Sequence, residues 1–85
     1  MKFILVYTNR AVKDIKQLDK SVKKRIGEKL LKLAEDPYAL ADKLADHSLG
    51  MFRCRAGEYR IIFDISDDQI VVLRIGHRRE IYRKR

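Results

Sequence analysis

Six arginines, Arg53, Arg55, Arg60, Arg74, Arg78 and Arg79, lie between positions 53 and 79 of the chain. Around the first two the residues alternate, with Phe52, Cys54 and Ala56 pointing one way and Met51, Arg53 and Arg55 the other, which describes a strand with one basic face. A two-residue loop at Ala56-Gly57 then sets Arg55 against Glu58 and Arg53 against Arg60 in the hairpin that follows. Two guanidiniums facing each other on a sheet cost a few tenths to about 1 kcal/mol. Converging on a phosphate, they instead make forked, charge-assisted hydrogen bonds. The pattern therefore points to an anion site shared by Arg53 and Arg60. Arg74 falls on the same face, and the end of the next strand, Gly76-His77-Arg78-Arg79, comes close to Arg60, so all six gather into one cluster. The plainer alternative is a solvated basic face.

His77 is the one group near this cluster whose ordinary pKa is close to neutral, so it can transfer protons where arginine, with a pKa above about 12, cannot. Its alternative is a surface histidine. Tyr82, five residues on, would ionise more easily near several guanidiniums, or it could stack on a nucleobase. Its alternative is an aromatic that closes the edge of the core. Tyr59 falls with Ile61 and Phe63 on the apolar face and belongs to the core. Cys54, between Phe52 and Ala56, is expected to be a buried, inert thiol.

The elements that position these groups are legible in the spacing. Residues 3–7 are apolar and read as a short buried strand, ending at Thr8-Asn9, which suit a helix N-cap. Val12, Ile15, Leu18, Val22, Ile26, Leu30 and Leu33 recur every three or four residues, as in an amphipathic helix. Asp19 offers a cap within that run, which divides it into an αα-hairpin of helices over about 10–18 and 20–35. The lysines between Lys13 and Lys32 form a solvated face that helps to steer a polyanion. Asp36-Pro37 ends the second helix, because proline lacks the backbone donor and disfavours α geometry in the residue before it. Residues 37–50 read as a loop with a helical turn. Strands follow from Met51, over Glu58–Ser66 and over roughly Gln69–Gly76, the last two joined by a three-residue turn at 67–69. That odd count is needed to align Val71, Leu73 and Ile75 with Ile65, Phe63 and Ile61. The fold class is α+β: an N-terminal strand, an αα-hairpin and a three-stranded antiparallel meander, both helices packed on one face of a mainly antiparallel sheet.

Eighty-five residues suffice for one domain, 1–85, and a composition of 46% hydrophobic against 38% charged residues is too apolar for intrinsic disorder. Twenty Lys and Arg against 12 Asp and Glu give a net charge of +8, which calls for a polyanionic partner: nucleic acid, a ribosome, an acidic protein or an anionic membrane surface. A single cysteine excludes an intrachain disulfide framework, and His47 and His77 stand too far apart for a recognisable zinc motif. No metal and no cofactor is expected. The apolar run at 3–7 is too short for a signal peptide or a membrane span, so the expected compartment is the cytoplasm, with no membrane partner.

Two segments, Met51-Phe52-Arg53-Cys54-Arg55-Ala56-Gly57-Glu58-Tyr59-Arg60-Ile61-Ile62-Phe63 and Val71-Val72-Leu73-Arg74-Ile75-Gly76-His77-Arg78-Arg79-Glu80-Ile81-Tyr82, resemble the RelE/ParE superfamily of toxin-antitoxin toxins. Their spacing agrees as well, and the closer likeness is to the RelE-like branch of ribosome-dependent mRNA endonucleases. The resemblance implies a RelE-like fold and metal-free cleavage of mRNA in the ribosomal A site, by attack of a ribose 2′-OH on the adjacent phosphate. It implies that Arg60 and Arg78 bind the phosphate and transition state. Arg53 and Arg55 would position the RNA and Tyr82 with His77 would be candidates for proton transfer, while Arg74 and Arg79, placed beside them by the strand register alone, would add phosphate contacts. The best-known members have lysines where this chain has Arg53 and Arg55, and arginine does not readily act as a base. The implied partners are a cognate antitoxin, the ribosome and mRNA, with operator DNA reached only through the antitoxin. The competing expectation is a ParE-like inhibitor of DNA gyrase with no nuclease activity.

Overall fold

The computed structural model describes residues 2–44 and 50–82. His47, with the rest of the expected loop at 45–49, and the basic end of the chain after Tyr82 lie outside the described residues. The elements run β1 (Ile4–Tyr7), α1 (Asn9–Lys16), α2 (Lys20–Glu35), a single turn α3 (Pro37–Leu40), β2 (Asp42–Lys43), β3 (Phe52–Ala56), β4 (Tyr59–Ser66) and β5 (Gln69–His77). The strands form one sheet in the order β1-β5-β4-β3-β2, with β1 parallel to β5 and the other pairs antiparallel. The α+β expectation holds. Ala11 of α1 and Ile26, Leu30 and Leu33 of α2 share one core with Cys54, Ile61, Phe63, Ile70 and Ile75 of the sheet.

Local chemistry explains the helix ends. Thr8 Oγ accepts from the Ala11 amide at 3.1 Å, capping α1, and donates to the Leu73 carbonyl at 2.9 Å. Asp36 closes α2 and caps α3 by accepting from the Ala39 amide at 3.3 Å, while Pro37 takes the first helical position, where no donor is needed. Asp19 stands at the N-cap of α2 without a side-chain cap bond.

Four features differ from expectation. First, β1 is an edge strand, not a buried one: Phe3 and Leu5 pack on the core, while Ile4 is 54% exposed. Its ladder with β5 ends at Tyr7↔Val72, and α1 completes the edge beyond, where Asp14 Oδ2 accepts from the Ile75 amide at 2.9 Å. Second, the first hairpin turns at Gly57-Glu58, so Ala56 faces Tyr59 and Arg55 faces Arg60. Gly57 has φ +64°, and a two-residue turn with positive φ at its first position selects glycine there. Third, the second turn has two residues, Asp67 and Asp68, with Ser66 facing Gln69. Parity is restored by a bulge: Phe63 faces Val72 while Ile62 faces Arg74, so Leu73 is the extra residue. Ile70 and Val72 before it and Ile75 after it all reach the core, where Val71, Leu73 and Ile75 were expected. Fourth, β2 extends the meander by a two-residue strand within the segment read as a loop.

The face of the sheet away from the helices carries a smaller apolar cluster, in which Leu44, Ile62 and Ile81 are buried beneath Leu73 and Tyr82. Gly50 lies so close to it that a Cβ there would stand 2.8 Å from both Ile62 and Leu73. This packing folds the segment after β5 back onto the sheet and places Tyr82 beside the basic strands.

Candidate functional site

Cys54 and Ala56 are buried, so alternation along β3 turns Arg53 and Arg55 to the opposite face. Arg60 enters from β4, and Arg78, Arg79 and Tyr82 come from the segment after β5. These six residues line one open concavity of roughly 430 Å³. Arg53 and Arg60 share it as expected, but the directly opposed pair is Arg55↔Arg60, because the turn lies one residue later than the sequence suggested.

Backbone carbonyls and two carboxylates hold the guanidiniums. Arg60 Nη1 donates to the Gly57 carbonyl at 2.8 Å and to the Tyr59 carbonyl at 2.9 Å. Glu58 anchors Arg78 twice: its carbonyl accepts from the Arg78 amide at 2.8 Å, and its carboxylate lies 2.8 Å from Arg78 Nε. Asp42, opposite Arg53 in the β2–β3 ladder, sets Oδ2 3.7 Å from Arg53 Nη2 and 3.6 Å from Arg55 Nε. Arg53 Nη1 donates to the Tyr82 hydroxyl at 3.3 Å, while Arg53 Nε is buried without a protein partner. Sequence reasoning missed Asp42, since a two-residue strand has no period to detect. It placed Glu58 opposite Arg55, whereas Glu58 forms the turn and reaches Arg78.

Arg74 and His77 do not join the other candidates. They line a second concavity, of roughly 540 Å³, between α1 and the end of β5. Arg74 is drawn there by Asp14, whose carboxylate accepts from its Nε at 2.9 Å and its Nη2 at 3.4 Å. The His77 ring packs edge-on against Tyr59, with centroids 5.4 Å apart, and its Nδ1 accepts from the Arg79 amide at 3.1 Å. The expected cluster of six arginines is thus five arginines and Tyr82. The expected acid/base pair of His77 and Tyr82 is divided between two concavities.

Cys54 is a free, buried thiol. Burial pushes its pKa up, with nearby Lys29 opposing the rise and Asp42 adding to it, so the thiolate a nucleophile would require is disfavoured. Among the described residues no three His, Cys, Asp or Glu side chains gather as a metal site, and no helix is long and apolar enough to cross a membrane.

Residues 5–82 match the family model described as the ParE toxin of type II toxin-antitoxin systems. The chain belongs to this family. The match places the toxin in the RelE/ParE superfamily, and its curated relatives agree. It is 29% identical over 87 residues to the toxin RelG of Mycobacterium tuberculosis, covering 99% of this chain and 100% of that protein. It is 30% identical over 91 residues to the mRNA interferase toxin RelE of Escherichia coli, covering 96% and 92% respectively. Among solved structures, the fold resembles a chain of a RelBE toxin-antitoxin complex from Mycobacterium tuberculosis with a TM-score of 0.82 and 25% identity, covering 91% of the toxin and 99% of that chain.

The toxin's arginine cavity can hold an anion by several converging, charge-assisted donors. Its counter-charges, Asp42 and Glu58, belong to pairs that are about half exposed, apart from Arg53 at 24% exposure. Such pairs hold the side chains in place at little net energy, so an incoming phosphate can displace them. Because the Tyr82 oxygen already accepts from Arg53, its own proton is directed to another acceptor.

Proposed function

We propose that the toxin is a ribosome-dependent, metal-independent endoribonuclease that cleaves mRNA in the A site. The observation that carries this reading is the convergence of Arg53, Arg55, Arg60, Arg78, Arg79 and Tyr82 on one open concavity. The name of its Escherichia coli relative, an mRNA interferase, supports the choice of substrate. In the proposed reaction the ribose 2′-oxygen forms a bond to the adjacent phosphorus as the bond to the 5′-oxygen breaks. The 2′-hydroxyl gives up its proton to solvent water, the leaving 5′-oxygen gains one, and the products are a 2′,3′-cyclic phosphate and a 5′-hydroxyl. Charge develops on the nonbridging oxygens, where Arg60 and Arg78 are the proposed stabilisers, each worth about 2.7–4 kcal/mol of barrier if it acts as a preorganised donor. Arg53, Arg55 and Arg79 hold the backbone in line. Tyr82 donates the proton to the leaving oxygen. Arginine at 53 and 55 suits positioning better than proton abstraction.

The proposed partner is an antitoxin that covers the basic face or displaces the segment after β5. The RelBE complex resembled by the fold supports this. Operator DNA is reached only through that antitoxin, and the proposed setting is the cytoplasm. Pulse labelling after induction in cells tests the reading: protein synthesis should stop within minutes. Continued synthesis with an active DNA-damage response would instead favour gyrase inhibition.

A further inference from the structure

The second concavity has chemistry that the arginine cavity lacks. Its lining combines exposed cations at Arg10, whose Nε lies 3.7 Å from Asp14, and Lys13 with the exposed Glu80 carboxylate, the Gln17 amide, the Tyr59 and His77 rings, and apolar surface from Leu18. Because His77 Nδ1 accepts from the Arg79 amide, a neutral ring carries its proton on Nε2, from which no described residue accepts. The Asp14 carboxylate is only 11% exposed and is taken up by Arg74, the Ile75 amide and, more loosely at 3.7 Å, Arg10, so it does not repel an anion strongly. The cavity's size, roughly 540 Å³, lies in the range of small-molecule sites. It shares a wall with the arginine cavity: His77 and Glu80 face one, Arg78 and Arg79 the other.

We propose that this concavity is a nucleotide subsite, which takes the base of a nucleotide adjoining the one whose phosphate lies among the arginines. The inference rests on the RNA reading above and extends it. Single-stranded RNA is recognised by splaying bases onto aromatic rings and hydrogen-bonding their edges. Here the His77–Tyr59 pair supplies the ring surface, His77 Nε2 and the Gln17 amide address the base edge, and Arg10 and Lys13 meet the flanking phosphate. An acidic peptide would use the two cations but has no need of the aromatic wall or the amide, so the lining favours a base. His77 is then a specificity-determining residue rather than a proton-transfer group.

The test is equilibrium binding of a 2′-O-methyl hexaribonucleotide, which cannot be cleaved, and of the same strand with abasic positions, to antitoxin-free toxin. Wild type should prefer the base-bearing strand. His77→Ala and the exposed Gln17→Ala should weaken its binding about five- to a hundredfold while leaving the abasic strand unchanged, and Arg55→Ala should weaken both. Equal binding of the two strands by wild type overturns the subsite. So does a folded His77→Ala and Gln17→Ala pair with wild-type affinities, which, if Arg55→Ala still weakens binding, leaves the arginine reading standing. Failure of wild type to bind either strand, with an acidic peptide bound in a His77-dependent way, overturns the subsite and makes the concavity a protein-docking site, while the ribosome-dependent cleavage reading is decided by primer extension.

Discussion

Replacing Arg60 by alanine separates a functional arginine from a structural one. Arg60 makes two hydrogen bonds, to the Gly57 and Tyr59 carbonyls at the hairpin turn. Both come from one Nη1 nitrogen at a solvent-facing turn, which puts each at the low end of the range of about 0.5–1.5 kcal/mol. Against this loss stands the repulsion from Arg55 directly across the ladder, whose removal returns a few tenths to about 1 kcal/mol. The net cost is about 1 kcal/mol or less, a fall in Tm of no more than roughly 4–8 °C for a domain of this size. If Arg60 stabilises developing phosphate charge, the same substitution raises the barrier by about 2.7–4 kcal/mol, or roughly 100- to 1000-fold in rate. Thermal melts paired with single-turnover cleavage on programmed ribosomes measure both. A loss of more than about 10 °C would make Arg60 a structural residue, and a rate within tenfold of wild type would remove it from transition-state stabilisation.

Asp14→Ala is expected to show the opposite profile, losing roughly 2–4 kcal/mol in urea titrations because it leaves the Ile75 amide and the Arg74 guanidinium unpaired at a part-buried edge. Asp42→Asn should keep the fold and bind RNA up to about fivefold more tightly, since it removes the carboxylate that competes for Arg53 and Arg55; weaker binding would show that Asp42 orients them instead. Gly27→Ala should raise stability by about 0.5–1 kcal/mol, as it lies inside α2 with no atom within 4 Å of the added Cβ. Cys54 should resist alkylation until the toxin is unfolded. Burial raises its folded pKa, so the neutral thiol's contribution to stability is full below the unfolded pKa and declines as pH rises above it, visible as an alkaline fall in Tm that is smaller in Cys54→Ala, where the burial-raised Tyr7 phenol still contributes.

What was legible in the sequence was what short-range chemistry decides. Thr8, Asp36 and Pro37 act on their own neighbours, and the apolar spacing from Ile15 to Leu33 reports directly which face is buried, whereas Val12, expected on that face, is exposed and Ala11 beside it is buried instead. The errors arose where two local solutions competed. Ala56-Gly57 and Gly57-Glu58 both make two-residue loops, and only the requirement for positive φ at the first position selects the second. The parity of β4 and β5 could be settled by a longer turn or by a bulge, and the fold uses the bulge at Leu73. Arg74 was grouped with the anion cluster because its partner across the ladder, Ile62, lies on that face, but Asp14, sixty residues away in sequence, claims its side chain. Such long-range ties leave no period or motif to read. The cluster itself survived the register error because five of its arginines sit near the same end of the sheet, where a shift of one residue exchanges neighbours without dispersing them.

The proposed role of the arginine cavity is to cut mRNA in the ribosomal A site. Primer extension on a message incubated with ribosomes and purified, antitoxin-free toxin tests it most directly, with naked RNA in EDTA and the Arg60→Ala variant in parallel. Magnesium is retained wherever ribosomes are present. Cuts should fall within A-site codons and disappear without ribosomes and with Arg60→Ala. An uncut message from folded toxin, or cuts that persist undiminished in Arg60→Ala, would contradict that role.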